Sequence, residues 1–362
     1  MFKHVGIIGL GLIGGSLAKA IKKYQLAEKI TAYNRSPINL EQALSDRSID
    51  MGSSTIDNAF KDCDIIFLCL PVDVNIALAK RLELIVSKDC IITDVSSTKT
   101  EICQEMKSID INFIGGHPMT GSEKTGYIAS NELIFENAYY IYTKDESTKT
   151  SDIDKLIAFT ETIKAIPIIM DSNKHDFVTA SISHVPHVIA SGLVNIVKQL
   201  DSPEGYMHDL AAGGFKSITR IASSSPDVWQ QICASNKDNV VEVLDLYINY
   251  LTDVKNNIQL YNPDYVYDFF NNARDYRDSF IEHQPSSLPN YYAISIDVFD
   301  QTGIIAKVAT ELSNESINIK NIGVVNNREH VSGILEIVFY EKDHMERAIK
   351  ILESEQYKVY TF

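Results

Sequence analysis

The chain has 362 residues, 45% apolar and 22% charged, a balance that excludes wholesale disorder and fibrous repeats and leaves room for two or three domains. Acidic residues outnumber basic ones by 48 to 33, and the formal net charge of −15 repels phosphate backbones, so no nucleic-acid partner is expected. The longest clear apolar run, Ile65 to Val72, is strand length, well short of the ~20 residues of a membrane span, and Met1-Phe2-Lys3-His4 lacks the shape of a signal peptide, so no membrane partner is expected.

The first ~170 residues alternate short β-branched runs with amphipathic segments. Strands are expected at His4–Leu10, Lys29–Asn34, Asp64–Leu70, Cys90–Val95, Asn112–Gly115, Tyr139–Thr143 and Ile166–Met170, with helices such as Ile13–Tyr24 and Asp152–Lys164 between them. That alternation predicts an α/β domain over 1–170, a mostly parallel, doubly wound Rossmann sheet. Cys63, Cys69 and Cys90 fall in or beside the apolar strand runs, and no cysteine pair has zinc-ligand spacing. They read as reduced core thiols of a cytoplasmic protein, with no metal site.

Gly9-Leu10-Gly11-Leu12-Ile13-Gly14 sits between the first strand and the first helix, the context a dinucleotide-binding turn requires. Gly9 permits the tight turn, Gly11 lets a pyrophosphate approach the backbone, and Gly14 allows helix and strand to pack closely. Leu12 and Ile13 open the helix whose positive end faces that anion, and Leu70 and Pro71, where the third run ends, complete the expected cofactor surface. An acidic residue after the second strand would bind the ribose 2′-hydroxyl of NAD. Asn34-Arg35-Ser36 stands there instead: Arg35 can pair with a 2′-phosphate and Ser36 can donate to it, which favours NADP. Arg35 stacking on the adenine as a solvated charge would leave NAD open.

Two further runs end strands at the carboxyl edge of the sheet, where α/β proteins bind ligands. One is Asp94-Val95-Ser96-Ser97-Thr98-Lys99. The other is the Gly-rich loop Gly115-Gly116-His117-Pro118-Met119-Thr120-Gly121-Ser122-Glu123-Lys124, which carries a lone histidine. On propensity alone Ser97 could equally be a helix N-cap.

From Asp171 the pattern turns helical, with long helices expected over His175–Gln199 and Asp227–Leu260. This all-α domain, 171–284, has faces too apolar for an isolated layer, which implies a homodimer. Ser181-Ile182-Ser183-His184-Val185-Pro186-His187 places a proline inside a helical pattern, at a cost of ~3 kcal/mol or more that needs a reason. His184 and His187 share a helix face. The run Ala211-Ala212-Gly213-Gly214-Phe215-Lys216-Ser217-Ile218-Thr219-Arg220 adds a flexible turn with two cations. Gln284–Asn290 has linker composition. Beyond it, 291–362 reads strand (Tyr291–Phe299), helix (Gly303–Ser313), strand (Ile317–Val325), strand (Gly333–Tyr340), helix (His344–Glu353), strand (Tyr357–Phe362), the βαββαβ order of a ferredoxin-like unit.

In combination, GLGLIGGSLA, TDVSSTK, GGHPMTGSEKTG, LIFENAYYI, SHVPHVIAS, AAGGFKSITRIASSSPDVW and the ARDYRDSF segment resemble the prephenate dehydrogenase (TyrA) family, in the form with a C-terminal ACT domain. The resemblance covers nearly the whole chain. It implies the oxidative decarboxylation of prephenate to 4-hydroxyphenylpyruvate, in which His117 takes the ring hydroxyl proton and Ser97 helps hold that hydroxyl. Prephenate carries two carboxylates. Arg220 matches the family's substrate arginine, His187 and Lys216 line the same pocket, Ser96 adds a substrate contact, and Glu123 gates it. Some members carry Asp where this chain has Ser217, which puts that gate in question. His184 reads as a core histidine beside the helix break, and Trp229 as packing of the helical domain. In the ACT-like module, Asp300, Gly303, Ile304 and Asn318 would hold a regulatory amino acid, implied to be tyrosine; an ACT unit that only joins subunits is the alternative. Arogenate in place of prephenate, and a non-catalytic Rossmann–ACT metabolite sensor, are the competing readings. A β-hydroxyacid dehydrogenase would need a lysine on the long helix where this chain has two histidines.

Overall fold

The computed structural model describes residues 2–121, 124–282, 292–299, 301–325 and 333–361. The described chain forms two compact units, Met1–Asn256 and Asn257–Phe362.

The first unit begins with β1 (Phe2–Ile8), α1 (Leu12–Lys23), β2 (Ala27–Tyr33), α2 (Pro37–Ser45), β3 (Met51–Ser53), β4 (Ile65–Leu68), α3 (Val72–Leu82), β5 (Ile91–Asp94), α4 (Thr100–Met106) and β6 (Asn112–Ile114). These strands form one parallel sheet in the order β3-β2-β1-β4-β5-β6. The period-2 alternation of buried strands supplies both faces. Ile65 and Phe67 of β4 join a core with Val5, Ile7 and Leu17 on one side, while Ile66 and Leu68 join Ile8, Leu78 and Leu82 on the other. All five cysteines are free, and burial pushes the Cys63, Cys69 and Cys90 thiols well up.

The run expected to continue this sheet makes a second one instead. The three-residue β7 (Gly116–Pro118) pairs antiparallel with β8 (Tyr139–Thr143), and β8, followed by α5 (Thr150–Thr162), pairs parallel with β9 (Ile166–Met170). β7 was legible only as loop, because Gly, His and Pro carry no strand signal.

The helical segment opens with α6 (Ser172–Thr179), whose first turn is capped by the Asp171 carboxylate accepting from the Asn173 and Lys174 amides. A π-helical turn, Ala180–His184, runs directly into α7 (Val185–Leu200). That turn is the reason behind the misplaced proline: Pro186 lacks an N–H to donate, and widening the helix just before it removes the bond it would have broken. It also corrects the expectation drawn from run length. The continuous helix Ser172–Leu200 spans 29 residues and is long and apolar enough to cross a membrane by length and composition, although only 28% of its most apolar stretch is buried. The histidines and the proline interrupt it as a run but not as a helix. α8 (Tyr206–Asp209), α9 (Gly213–Thr219), a 3-10 turn at Arg220–Ser223, α10 (Pro226–Ser235) and α11 (Lys237–Gln259) follow. The single helix expected over Asp227–Leu260 is therefore two. They part at Asn236, whose buried side chain donates to the Asp176 carbonyl at 2.7 Å and sits 3.1 Å from His184 Nδ1.

The second unit holds α12 (Pro263–Glu282), then β10 (Tyr292–Val298), α13 (Ile304–Asn314), β11 (Ile319–Val325), β12 (Gly333–Phe339), α14 (Lys342–Ser354) and β13 (Val359–Thr361). Its antiparallel sheet has the order β11-β12-β10-β13, and Ile294, Ile296, Leu335 and Ile337 meet Val308, Leu312, Ala348 and Leu352 of the two helices in one core. The linker 284–290 lies outside the described residues.

Candidate active site

The glycine loop after β1 has the shape of an anion cradle. Gly9 has φ of 106°, a conformation L side chains rarely adopt, and a Cβ on Gly14 would lie 1.9 Å from the Gly9 carbonyl oxygen. A Cβ on Gly11 would meet nothing within 4 Å, so the space over the loop is open. Gly11 caps α1 without a side-chain bond, which leaves the first-turn amides of Leu12, Ile13 and Gly14 for a ligand. This donor set fits the pyrophosphate of a dinucleotide.

At the end of β2, the three expected residues divide. Asn34 is turned into the loop, its Oδ1 accepting from Leu10 N at 3.0 Å and its Nδ2 donating to the Ser36 carbonyl. Arg35 is exposed, and Ser36 is the N-cap of α2. On the far side of Gly9, the fully buried Asn75 accepts from Leu70 N at 3.2 Å and donates to Leu70 O at 2.7 Å. It fixes the turn that presents Leu70 and Pro71, and it lies 3.4 Å from Ser96 Oγ.

β5 and β7 deliver the next groups. Asp94 ends β5 fully buried; it accepts from the amides of Ser96 and Gly116 at 2.9 Å and pairs with the equally buried Lys99, which also donates to the Gly116 carbonyl at 2.8 Å. The ion pair thus clamps the residue before His117 by both its N–H and its C=O. Ser96 and Ser97 are half-buried between these anchors. Ser97 is not the N-cap of α4. Lys99 holds that position, and the Asp176 carboxylate takes the free amides of Lys99 and Thr100, each at 2.7 Å.

His117 is only 8% exposed. Burial, reinforced by His175, Lys99 and His184, holds its ring well below the usual imidazole range, so it is neutral at physiological pH. Its Nδ1 lies 2.8 Å from Nε2 of the fully buried His175, whose Nδ1 lies 2.7 Å from Asp176 Oδ1. Burial alone would raise the Asp176 carboxyl, but hydrogen bonds from His175 and from the Thr100 and Lys99 amides outweigh it and hold the group ionised. His175 and Asp176 were not singled out from the sequence. The pair sits in the middle of α6, where nothing in the neighbouring sequence marks it as buried.

The two histidines of the SHVPH run diverge. His184 is buried beside Asn236, and burial pulls it down to about 4. His187 is half-buried; its Nδ1 lies 2.9 Å from the Ser183 carbonyl, and its ring stacks on Trp229 with centroids 3.7 Å apart. Trp229 therefore packs the helical segment through His187. Burial and the nearby Arg220 charge lower His187. Arg220 and Lys216 are exposed, four residues apart where α9 passes into the 3-10 turn, and that stretch packs on α7. Glu123 lies outside the described residues.

In the second unit, Gly303 (φ of 89°) caps α13 beside a cavity of about 490 Å³ lined by Gly303, Ile304, Gln301 and Val324. Asn318 is exposed and is not part of that lining, and Asp300 lies outside the described residues.

Residues 17–169 match the family profile described as prephenate dehydrogenase, nucleotide-binding domain, and residues 171–272 match prephenate dehydrogenase, dimerization domain. The prephenate dehydrogenase of Bacillus subtilis (strain 168) is 33% identical over 352 residues, covering 96% of this chain and 95% of that protein. The chain belongs to the prephenate dehydrogenase family. Among solved structures, prephenate dehydrogenase from Aquifex aeolicus in complex with hydroxyphenyl propionate and NAD+ superposes with a TM-score of 0.74 at 29% identity, covering 77% of this chain and 99% of that one. Synechocystis arogenate dehydrogenase gives 0.69 at 25% identity, with 76% and 99% covered. The Bacillus relative matches almost end to end, whereas these two solved structures cover about three quarters of this chain.

Proposed function

We propose that this chain converts prephenate to 4-hydroxyphenylpyruvate and carbon dioxide, using NADP or NAD. The observation that carries this reading is His117: a buried, neutral imidazole on β7, held by Asp94 at the carboxyl end of β5 in the parallel sheet that bears the glycine loop. The loop from Gly9 to Gly14, with the first-turn amides of Leu12 and Ile13, would hold the pyrophosphate; Leu70 and Pro71 would face the ring end, and Asn34, Arg35 and Ser36 the ribose end. When bound, a nicotinamide supplies the hydride acceptor. His117 takes the ring hydroxyl proton, Ser97 and Ser96 orient that hydroxyl, and Arg220, with Lys216 and His187, meets the substrate carboxylates. Loss of carbon dioxide then aromatises the ring, which makes the reaction one-way.

Exposed Arg35, with no carboxylate at the end of β2, supports NADP over NAD. The same feature, with the likeness to arogenate dehydrogenase, supports arogenate as the second reading. We further propose three domains, 1–170, 171–284 and 291–362, the last an ACT domain of ferredoxin-like fold whose Gly303–Ile304 turn binds tyrosine and inhibits the enzyme, with Asp300 and Asn318 as further contacts. The match to a dimerization-domain profile, and the exposed Ile182, Val194, Ile196 and Leu200 along the 29-residue helix, support a cytoplasmic homodimer in which a second copy, not lipid, covers these side chains.

The test is an absorbance assay of the reduced nicotinamide. Prephenate or arogenate is paired with NAD or NADP, with and without tyrosine. Turnover of prephenate that tyrosine suppresses is the expected result. Turnover of arogenate alone would move the enzyme to the second substrate, and no turnover with any pair would overturn both readings.

A further inference from the structure

We infer that Asp176 and His175 are positioning residues that set the tautomer of His117, so that Nδ1 carries its proton and Nε2 is the basic atom. Given the role proposed for His117, the hydrogen bonds assign the tautomer outward from the carboxylate. Both Asp176 oxygens already accept backbone amides, Oδ1 from Lys99 and Oδ2 from Thr100, each at 2.7 Å. An ionised carboxylate can only accept, so the contact at 2.7 Å puts a proton on His175 Nδ1. In a neutral ring that leaves His175 Nε2 as an acceptor. The partner 2.8 Å away, His117 Nδ1, must then donate, and its own lone pair is at Nε2. No other assignment satisfies both contacts with two neutral rings.

The chain is closed. His175 and Asp176 are both fully buried, so it holds a proton in place rather than conducting it to water. When the substrate O–H bond breaks, its proton forms the Nε2–H bond of His117. The electron pair left on oxygen closes the carbonyl as the ring carbon gives up its hydride. The imidazolium formed on His117 is balanced through His175 by the Asp176 charge, as a buried carboxylate does for an imidazole base in other active sites. Asp176 also fixes the ring in space. Its capping bonds tie α6 to the start of α4, 76 and 77 residues earlier in the chain, where the Lys99–Asp94 pair clamps Gly116.

Two variants and one spectrum test this. Long-range proton–nitrogen NMR of the histidine-labelled free protein, with the His117 signal identified by its loss in His117→Asn, should show the proton on Nδ1. His175→Leu removes the acceptor. It should release that preference and lower kcat at least ~10-fold while the KM for prephenate and the cofactor change less than ~3-fold. His175→Gln keeps an oxygen that can accept from His117 and should recover most of the loss. A proton on Nε2 of His117 in the unmodified chain overturns the inference, even if the Leu variant fails to fold. So do equal losses in the Leu and Gln variants with the tautomer unchanged. An unmodified chain that shows Nδ1–H but turns over no prephenate would overturn the substrate reading and leave the hydrogen-bonded chain standing.

Discussion

His117 and Arg220 serve the same substrate in this account, yet the protein holds them by opposite means. His117 lies on a strand, 8% exposed, with the residue before it clamped by a buried ion pair and its ring tied to a second histidine. Arg220 lies on a 3-10 turn after a short helix that starts with two glycines, and it is exposed. The atom that takes a proton must sit within a few tenths of an ångström of its target, whereas a cation that attracts a carboxylate acts over a longer range and tolerates motion. The chain spends its buried polar groups accordingly.

That contrast can be broken at either end. His117→Asn should lower kcat at least ~100-fold with cofactor affinity and fold unchanged, the scale of a lost general base; steady-state kinetics beside a cofactor titration checks it. Arg220→Ala should act on binding instead. A charge-assisted hydrogen bond of ~1.5–3 kcal/mol corresponds to a rise in KM of roughly 10- to 100-fold, with kcat within about fivefold. A large fall in kcat there would erase the distinction between the two ends.

A smaller effect sharpens the picture from the helical side. His184 titrates near 6.5 when unfolded but at about 4 in its buried site. Below pH 6.5 the unfolded chain takes up a proton that the folded ring refuses, so stability declines as pH falls from 6.5 towards 4, by roughly 3 kcal/mol at most from this group. Thermal unfolding of the unmodified chain and of His184→Gln across that range should show the decline flatten in the variant.

How much was legible follows from where the partners lie. The Gly9–Gly14 loop announces itself because turn, glycines and helix start are adjacent in sequence, and the parallel sheet follows from the alternation of runs, although β3 and the separate β7-β8-β9 sheet do not. Pro186 signalled that something unusual stood before it, and the π turn is that feature. Asp176 was invisible because its partners are the amides of Lys99 and Thr100, far away in the chain. Asn236 hides for the same reason: it stands between α10 and α11, and its partners, the Asp176 carbonyl and His184, lie 60 and 52 residues away. Short-range geometry is written in neighbouring residues, and long-range satisfaction of buried polar groups is not.

The most direct test is the pH dependence of kcat/KM for prephenate. Burial, His175, Lys99 and His184 all depress the His117 ring, so the acid limb should have its midpoint below the ordinary imidazole value of about 6.5 and should vanish from the residual activity of His117→Asn. A midpoint at or above that value, or a limb unchanged in the variant, would contradict the claim that a buried neutral His117 takes the proton.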